Sequence, residues 1–126
     1  MIRRNLTLLL VMTLYCLIPL VGLAAEPQAA VFTLEVRSRK IVGDTTTVRV
    51  QRGDAVTLRW TTDEAVSLHL HGYDIEKALK PGAPTEFSFK AYATGRFPIT
   101  AHGFGTHAHG GGHEETHLLY LEVHPQ

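Results

Sequence analysis

The stretch Val66-Ser67-Leu68-His69-Leu70-His71 alternates apolar and polar residues with a period of two. Successive side chains of a β-strand point to opposite faces, so this pattern predicts a strand with one buried and one exposed face. Leu68 and Leu70 face a core in this interpretation, while His69 and His71 project together from the other side. The stretch therefore indicates the fold class and places two of the most distinctive side chains.

The same alternation occurs in six further segments of the chain. Their apolar positions are Phe32, Leu34 and Val36; Val48 and Val50; Val56, Leu58 and Trp60; Phe87, Phe89 and Ala91; Phe97, Ile99 and Ala101; and Leu119, Leu121 and Val123. Helical periodicity is nearly absent, since the only candidate helix, Ile75 to Lys80, is too short to be stable alone. We therefore expect an all-β protein, an antiparallel Greek-key β-sandwich of seven to eight strands.

Turn residues separate these segments. Lys80-Pro81-Gly82 and Thr94-Gly95-Arg96 have turn chemistry, and Arg52-Gly53-Asp54 predicts a hairpin between the strands that flank it. A long loop from Gly103 to Glu115 contains five glycines. Trp60 is expected to lie in the core, as tryptophan in a sandwich usually does.

The first part of the chain has the pattern of an export signal. Two arginines precede an apolar stretch from Leu6 to about Val21, and Gly22-Leu23-Ala24 supplies the small residues of a cleavage site. The segment from Leu6 to Ala25 is nearly long enough for a membrane anchor, but Pro19 and Gly22 disfavour that alternative. We expect a signal peptide at 1–24 and one domain at 25–126, exported to the periplasm and free of the membrane after cleavage.

Charge and sulfur content exclude several functions for that domain. Ten basic and twelve acidic residues follow the leader, so no basic excess would recruit nucleic acid. The only cysteine, Cys16, and both methionines, Met1 and Met12, belong to the leader. The exported domain therefore has no disulfide, no thiolate nucleophile and no sulfur ligand for a metal.

Histidine is the unusual component of the domain. The eight histidines are His69, His71, His102, His107, His109, His113, His117 and His124. In a Greek-key sandwich, the strand that carries the first pair and the late glycine-rich loop can meet at one end. Imidazoles without thiolates suit Cu(II) first and Zn(II) as the alternative, with Asp74, Glu114 and Glu115 as candidate orienting groups. The competing interpretation is a soluble, flexible loop with only adventitious metal affinity.

Motifs along the whole domain carry a family resemblance. Leu70-His71-Gly72-Tyr73-Asp74, Pro81-Gly82 with Glu86-Phe87-Ser88-Phe89, Thr94-Gly95-Arg96-Phe97-Pro98-Ile99 and Leu119-Tyr120-Leu121-Glu122-Val123 resemble the cupredoxins, especially small bacterial periplasmic cupredoxin-like domains. His71-Gly72-Tyr73 is similar to the motif of the first copper histidine of that family. Ala101 stands about where the copper cysteine would be, so blue-copper electron transfer is not expected.

The resemblance implies a copper-handling scaffold with altered ligands. We expect His71 and His102 to form the nucleus of a metal site, completed by His69 and one or more of His107, His109 and His113. The favoured function is the binding, buffering or transfer of copper, with a copper donor or acceptor protein as a possible partner and no catalysis.

Two other functions stay open at this point. His69-Leu70-His71 is similar to the copper-binding pair of copper-zinc superoxide dismutases, which makes a copper-dependent oxidoreductase the enzymatic alternative. The second is a structural or interaction module that kept the sandwich without a metal.

Overall fold

The computed structural model describes residues 26–105 and 114–126, and within these ranges the chain forms nine β-strands and no helix. The strands are β1 (Ala29–Arg37), β2 (Lys40–Ile41), β3 (Thr47–Gln51), β4 (Ala55–Thr62), β5 (Val66–Leu70), β6 (Ile75–Leu79), β7 (Thr85–Lys90), β8 (Gly95–His102) and β9 (Thr116–His124). The prediction of an all-β protein is confirmed.

The strands are arranged in two sheets that share one core. One sheet has the order β2-β1-β4-β7 and the other has the order β3-β9-β8-β5-β6. Apolar faces of both sheets contribute to a single buried cluster that includes Leu58, Trp60, Leu68 and Leu121. The predicted sandwich and the buried position of Trp60 are confirmed. The sheets are mixed, however, because β1 pairs in parallel with β4, and β3 in parallel with β9.

The predicted hairpin at Arg52-Gly53-Asp54 is wrong. The turn exists, but β3 and β4 belong to different sheets, so it carries the chain from one layer to the other. The Asp54 carboxylate stabilises this corner by accepting hydrogen bonds from the backbone N–H groups of Gln28 and Gln51, at 3.0 and 2.9 Å. The apolar residues of both strands face the same core, whether the strands pair in one sheet or lie in two facing sheets. The alternation pattern therefore cannot distinguish a hairpin from a connection between the sheets.

Residues 75–80, which the sequence offered only as a candidate helix too short to be stable alone, contain a strand. This segment forms β6, which pairs antiparallel with β5 and places Glu76 directly opposite His69. β6 and the two-residue β2 bring the number of strands to nine, above the expected seven to eight. Both additions are edge strands, where a partly exposed segment needs little apolar alternation.

In the described part of the chain, no helix has the length and apolar character needed to cross a membrane. The expected signal peptide at 1–24 lies outside the described residues and stays a prediction, as do the domain limits and export to the periplasm.

Candidate metal centre

The two faces of strand β5 have different surroundings: one faces the core and the other lies on the outside of the sandwich. Leu68 and Leu70 are fully buried between the sheets, while His69 and the residue just past the strand end, His71, are half-buried on the outer face of the five-stranded sheet. The backbone N–H of His71 donates to the carbonyl of Pro98 at 3.1 Å, which extends the pairing with β8 by one residue. Both imidazoles are therefore held by sheet hydrogen bonding rather than by a free loop.

The two imidazoles lean towards each other. Their ring centroids are 3.9 Å apart and their planes are inclined by 38°. Residues i and i+2 of a strand are separated by about 6.6 Å along its axis, so the side chains converge above the backbone. A pair of nitrogen donors on adjacent same-face positions can bind one ion.

Glu115 completes a group of three potential ligands. One ligand atom from each of His69, His71 and Glu115 lies within 4.8 Å of the other two. The Glu115 Oε2 atom is 3.7 Å from Nε2 of His71. Glu115 directly precedes β9, so the late part of the chain returns to the sheet beside the histidines of its middle part. Its carboxylate also supplies negative charge that favours a cation.

The hydroxyl group of Thr100 contacts the imidazole ring of His71. Its hydroxyl Oγ1 is 2.9 Å from Nε2 of His71, and the residue is buried on β8, directly opposite His69. A hydroxyl can donate to a neutral imidazole nitrogen or accept from its N–H, so Thr100 can orient His71 in either tautomer. Sequence reasoning missed this residue because a threonine on a strand has no distinctive pattern.

His102 lies on the same outer face but in a separate pair. Its Nε2 atom is 3.0 Å from Oε1 of Glu76, and it faces Ser67 across the β5–β8 ladder. The sequence paired His102 with His71; in the structure His71 contacts Thr100 and Glu115, and His102 contacts Glu76. Sequence reasoning missed Glu76 because its segment was not recognised as a strand. Recognition of β6 would have placed it on the outer face, opposite His69.

The remaining histidines have different positions. His107, His109 and His113 fall in residues 106–113, outside the described ranges, and stay predicted ligands. Next to that segment, the N–H of Gly105 donates to the Ala65 carbonyl at 3.0 Å, just before β5 begins. His117 is exposed opposite Thr100, and His124 lies 3.5 Å from Glu122 near the C-terminus; neither belongs to the group of three.

The side chain of Ala101 points into the core, away from the outer face that carries the histidines. It is fully buried and lies opposite Leu68, on the core side of the sheet. Its neighbours Thr100 and His102 project outwards, since side chains alternate along β8. The residue at the expected cysteine position thus faces away from the imidazoles.

The donor atoms of this group suit a divalent metal ion of intermediate softness. The group offers two imidazole nitrogens and one carboxylate oxygen, with His102 and Glu76 close by on the same face. Such nitrogen and oxygen donors suit Cu(II) and Zn(II), whereas Cu(I) prefers thiolate and thioether sulfur. The described residues can therefore hold a metal ion of this kind.

Comparisons with known proteins agree with the architecture. The sequence matches no protein-family model and no curated protein. Among solved structures, the chain is similar to a Cu-containing nitrite reductase (NirK) from Thermus scotoductus SA-01, with 21% identity, a TM-score of 0.57 and coverage of 78% of this chain and 28% of that one. A blue copper oxidase from Nitrosomonas europaea gives 16% identity, a TM-score of 0.55 and coverage of 79% and 39%.

A heme-copper terminal oxidase gives 18% identity and a TM-score of 0.56, over 75% of this chain and 64% of that one. The chain thus spans less than two thirds of the length of each of these proteins. At such low identity the similarity shows the fold alone, and that fold is cupredoxin-like.

Proposed function

We propose that this domain is a periplasmic copper-binding protein that buffers or transfers Cu(II) without doing chemistry on a substrate. The observation that carries the proposal is the convergence of His69, His71 and Glu115, whose ligand atoms lie within 4.8 Å of one another on a cupredoxin-like scaffold. The copper proteins among the structural neighbours support the choice of metal, and the signal-like leader supports the compartment.

Copper is favoured over zinc by the donor chemistry. For nitrogen and oxygen donors, affinity among the divalent first-row ions is highest for Cu²⁺. His102 projects from the neighbouring strand of the same face and is a further ligand in this proposal. His107, His109 and His113, which the sequence predicts as ligands, belong to the segment that joins β8 to β9.

The exposure of the group suits capture and release. The His71 side chain is 33% exposed and that of Glu115 is 44% exposed, so an incoming ion does not have to cross the protein interior. A partner protein could reach the same ligands from outside the sheet. A permanently held cofactor would be expected at a more enclosed site.

The absence of sulfur argues against blue-copper electron transfer. Such sites use a His₂Cys set, and the exported domain contains neither cysteine nor methionine. The copper-loaded protein is therefore expected to give an ordinary, non-blue Cu(II) spectrum in electron paramagnetic resonance.

The proposal is tested by titration of the untagged protein with Cu(II) in the presence of a competing chelator. Replacing both His69 and His71 by asparagine should weaken binding by more than about 100-fold, because loss of outer-shell contacts alone costs 10–100-fold. His124→Asn is the matched control, since His124 lies near the C-terminus away from the group. Equal affinity in the double variant and the control would reject the site.

The cellular location is tested separately by fractionation of the cells that produce the full chain. Recovery of a form that lacks residues 1–24 in the periplasmic fraction is expected. Retention of the leader in the cytoplasmic or membrane fraction would overturn the proposed compartment.

A further inference from the structure

Two oxygen atoms lie close to the same nitrogen of His71. The Thr100 hydroxyl oxygen, Oγ1, forms a hydrogen bond of 2.9 Å with Nε2 of His71. The Glu115 Oε2 atom is 3.7 Å from that nitrogen, too far for a hydrogen bond but close enough for an ion between them. An ion that His71 and Glu115 hold together is therefore expected at Nε2, the nitrogen that Thr100 already occupies.

An imidazole nitrogen can make only one of these contacts at a time. It carries either a proton or one in-plane lone pair, so Thr100 occupies its single bonding position whichever tautomer His71 adopts. A metal ion needs that lone pair and lies about 2 Å from the nitrogen. A hydrogen-bonded oxygen at 2.9 Å leaves no room there for the ion. Metal binding through Nε2 therefore requires the hydrogen bond to break.

The Thr100 side chain is held more firmly than that of His71. Thr100 is only 7% exposed and lies on β8, which pairs with β5 on one side and with β9 on the other. His71 lies just past the end of β5, and its side chain is 33% exposed. The imidazole is therefore the group that moves, away from Thr100 and towards Glu115, when an ion binds.

We propose that the Thr100 hydroxyl competes with the metal ion for Nε2 of His71, so that it lowers the affinity of the site and favours release of the ion. This inference rests on the proposed function and explains how a transfer site returns to its metal-free state. The opposite role is a supporting contact: with the ion on Nδ1, Thr100 would accept from Nε2–H and strengthen binding.

The size of the effect follows from the hydrogen bond that is lost. This bond stabilises the metal-free state alone, and an ordinary hydrogen bond changes an equilibrium constant by about 2–10-fold. The buried Thr100 hydroxyl also loses its His71 partner when the ring leaves. Removal of the hydroxyl should therefore tighten metal binding, whereas removal of a supporting contact would weaken it.

The first test measures Cu(II) affinity by chelator competition and the rate at which the chelator withdraws the ion. Thr100→Val keeps the branched shape that suits a strand but removes the hydroxyl. It should bind about 2–10-fold more tightly and release the ion more slowly. Thr100→Ser keeps a hydroxyl and should stay close to the wild type. Thr57→Val is the matched control, since the Thr57 hydroxyl bonds to Ser88 on the other sheet.

A double variant shows whether Thr100 acts through His71. In a His71→Ala background the nitrogen for which the hydroxyl competes is gone. Thr100→Val should then change the remaining affinity by less than about 2-fold. The same tightening with and without His71 would overturn the proposal, because the hydroxyl would then act on another part of the site.

The second test identifies the bound nitrogen by NMR of ¹⁵N-labelled histidine side chains. In the metal-free protein, Thr100→Val should shift the Nε2 signal of His71 and leave its Nδ1 signal nearly unchanged. In the protein loaded with Zn(II), which is diamagnetic, the ¹⁵N shifts should identify Nε2 as the nitrogen on the metal. Zn(II) on Nδ1 would overturn the competition.

These outcomes separate the inference from the function on which it rests. A wild-type protein that binds no Cu(II) through His69 and His71 would reject the proposed function, and the competition with it. Binding that His71→Ala weakens, but that Thr100→Val leaves equal or makes weaker, would reject the competition alone.

Discussion

Gly72 lies directly against the ring of Phe97. A Cβ atom at this glycine would be 2.4 Å from Cδ1 and 2.7 Å from Cε1 of the ring, far inside contact distance. Its φ of +79° is also in the left-handed region that favours glycine. Phe97 packs edge-on against Tyr73, with ring centroids 5.1 Å apart. The residue after His71 thus packs against an aromatic cluster, next to the candidate metal ligands of β5.

Gly72→Ala should destabilise the protein by about 2–4 kcal/mol. The added methyl group combines a left-handed backbone penalty with overpacking against Phe97. The displacement should reach the adjacent His71 and weaken Cu(II) binding in the fraction that still folds. Denaturant unfolding and chelator competition on the same samples measure the two effects.

Gly82→Ala separates the two contributions. Gly82 has a similar φ of +74°, but nothing lies within 4 Å of the position of its Cβ. Gly82→Ala should lower the free energy of unfolding by only about 1 kcal/mol, which is the backbone part of the penalty. Its metal affinity should be unchanged. Equal losses in both variants would show that the contact with Phe97 contributes nothing.

Tyr73 should make the fold sensitive to alkaline pH. Its hydroxyl donates to the Ala93 carbonyl at 2.9 Å and accepts from the Ala93 N–H at 3.2 Å. Burial raises the pKa of Tyr73, and the nearby Tyr92 raises it further, against the opposing effect of the hydrogen bond to Ala93. The unfolded chain then loses this proton at lower pH than the folded protein. The stabilisation is complete below the unfolded pKa near 10 and is lost as pH rises through the folded pKa.

Tyr73→Phe should reduce that alkaline loss of stability. The variant should be about 1 kcal/mol less stable at about pH 8, where it lacks the hydrogen bonds to Ala93, and should lose less on going to about pH 11. Tyr120→Phe is the control, because Tyr120 lies on the outer face of its sheet under Arg96. Denaturant unfolding at the two pH values measures both. An identical alkaline loss in wild type and Tyr73→Phe would contradict the assignment.

Ala101→Cys should not create a blue copper site. The Ala101 side chain points between the sheets, on the opposite side from His69 and His102, so a thiol there cannot reach an ion bound on the outer face. Ser67→Cys is the matched comparison, because position 67 lies on the outer face beside His69. The visible spectrum of the copper-loaded variants distinguishes them: an intense thiolate band is expected for Ser67→Cys only. Such a band in Ala101→Cys would place the ion between the sheets.

Local alternation predicted much of the fold because a strand with one buried face has an apolar residue at every second position. Leu68, Leu70 and Trp60 could be assigned to the core in this way, and the outward direction of His69 followed from its neighbours. Alternation carries no information about the layer of a strand, so the turn at Arg52-Gly53-Asp54 was interpreted as a hairpin although it joins the two sheets.

The site was harder to predict because its members come from distant segments. The shared direction of His69 and His71 is a local property of one strand, but the contact between His71 and Glu115 depends on how β9 returns to the sheet. Glu76 and Thr100 belong to common residue types, and only the pairing of β5 with β6 and β8 shows their importance. Strand order is a long-range property that spacing along the chain does not encode.

The most direct test of this account is a crystal structure of the copper-loaded protein with anomalous data at the copper absorption edge. The predicted result is a copper peak on the outer face of the five-stranded sheet, about 2 Å from one nitrogen each of His69 and His71 and bound by the Glu115 carboxylate. Copper held by His107, His109 and His113 alone, with His69 and His71 free of metal, would contradict the account.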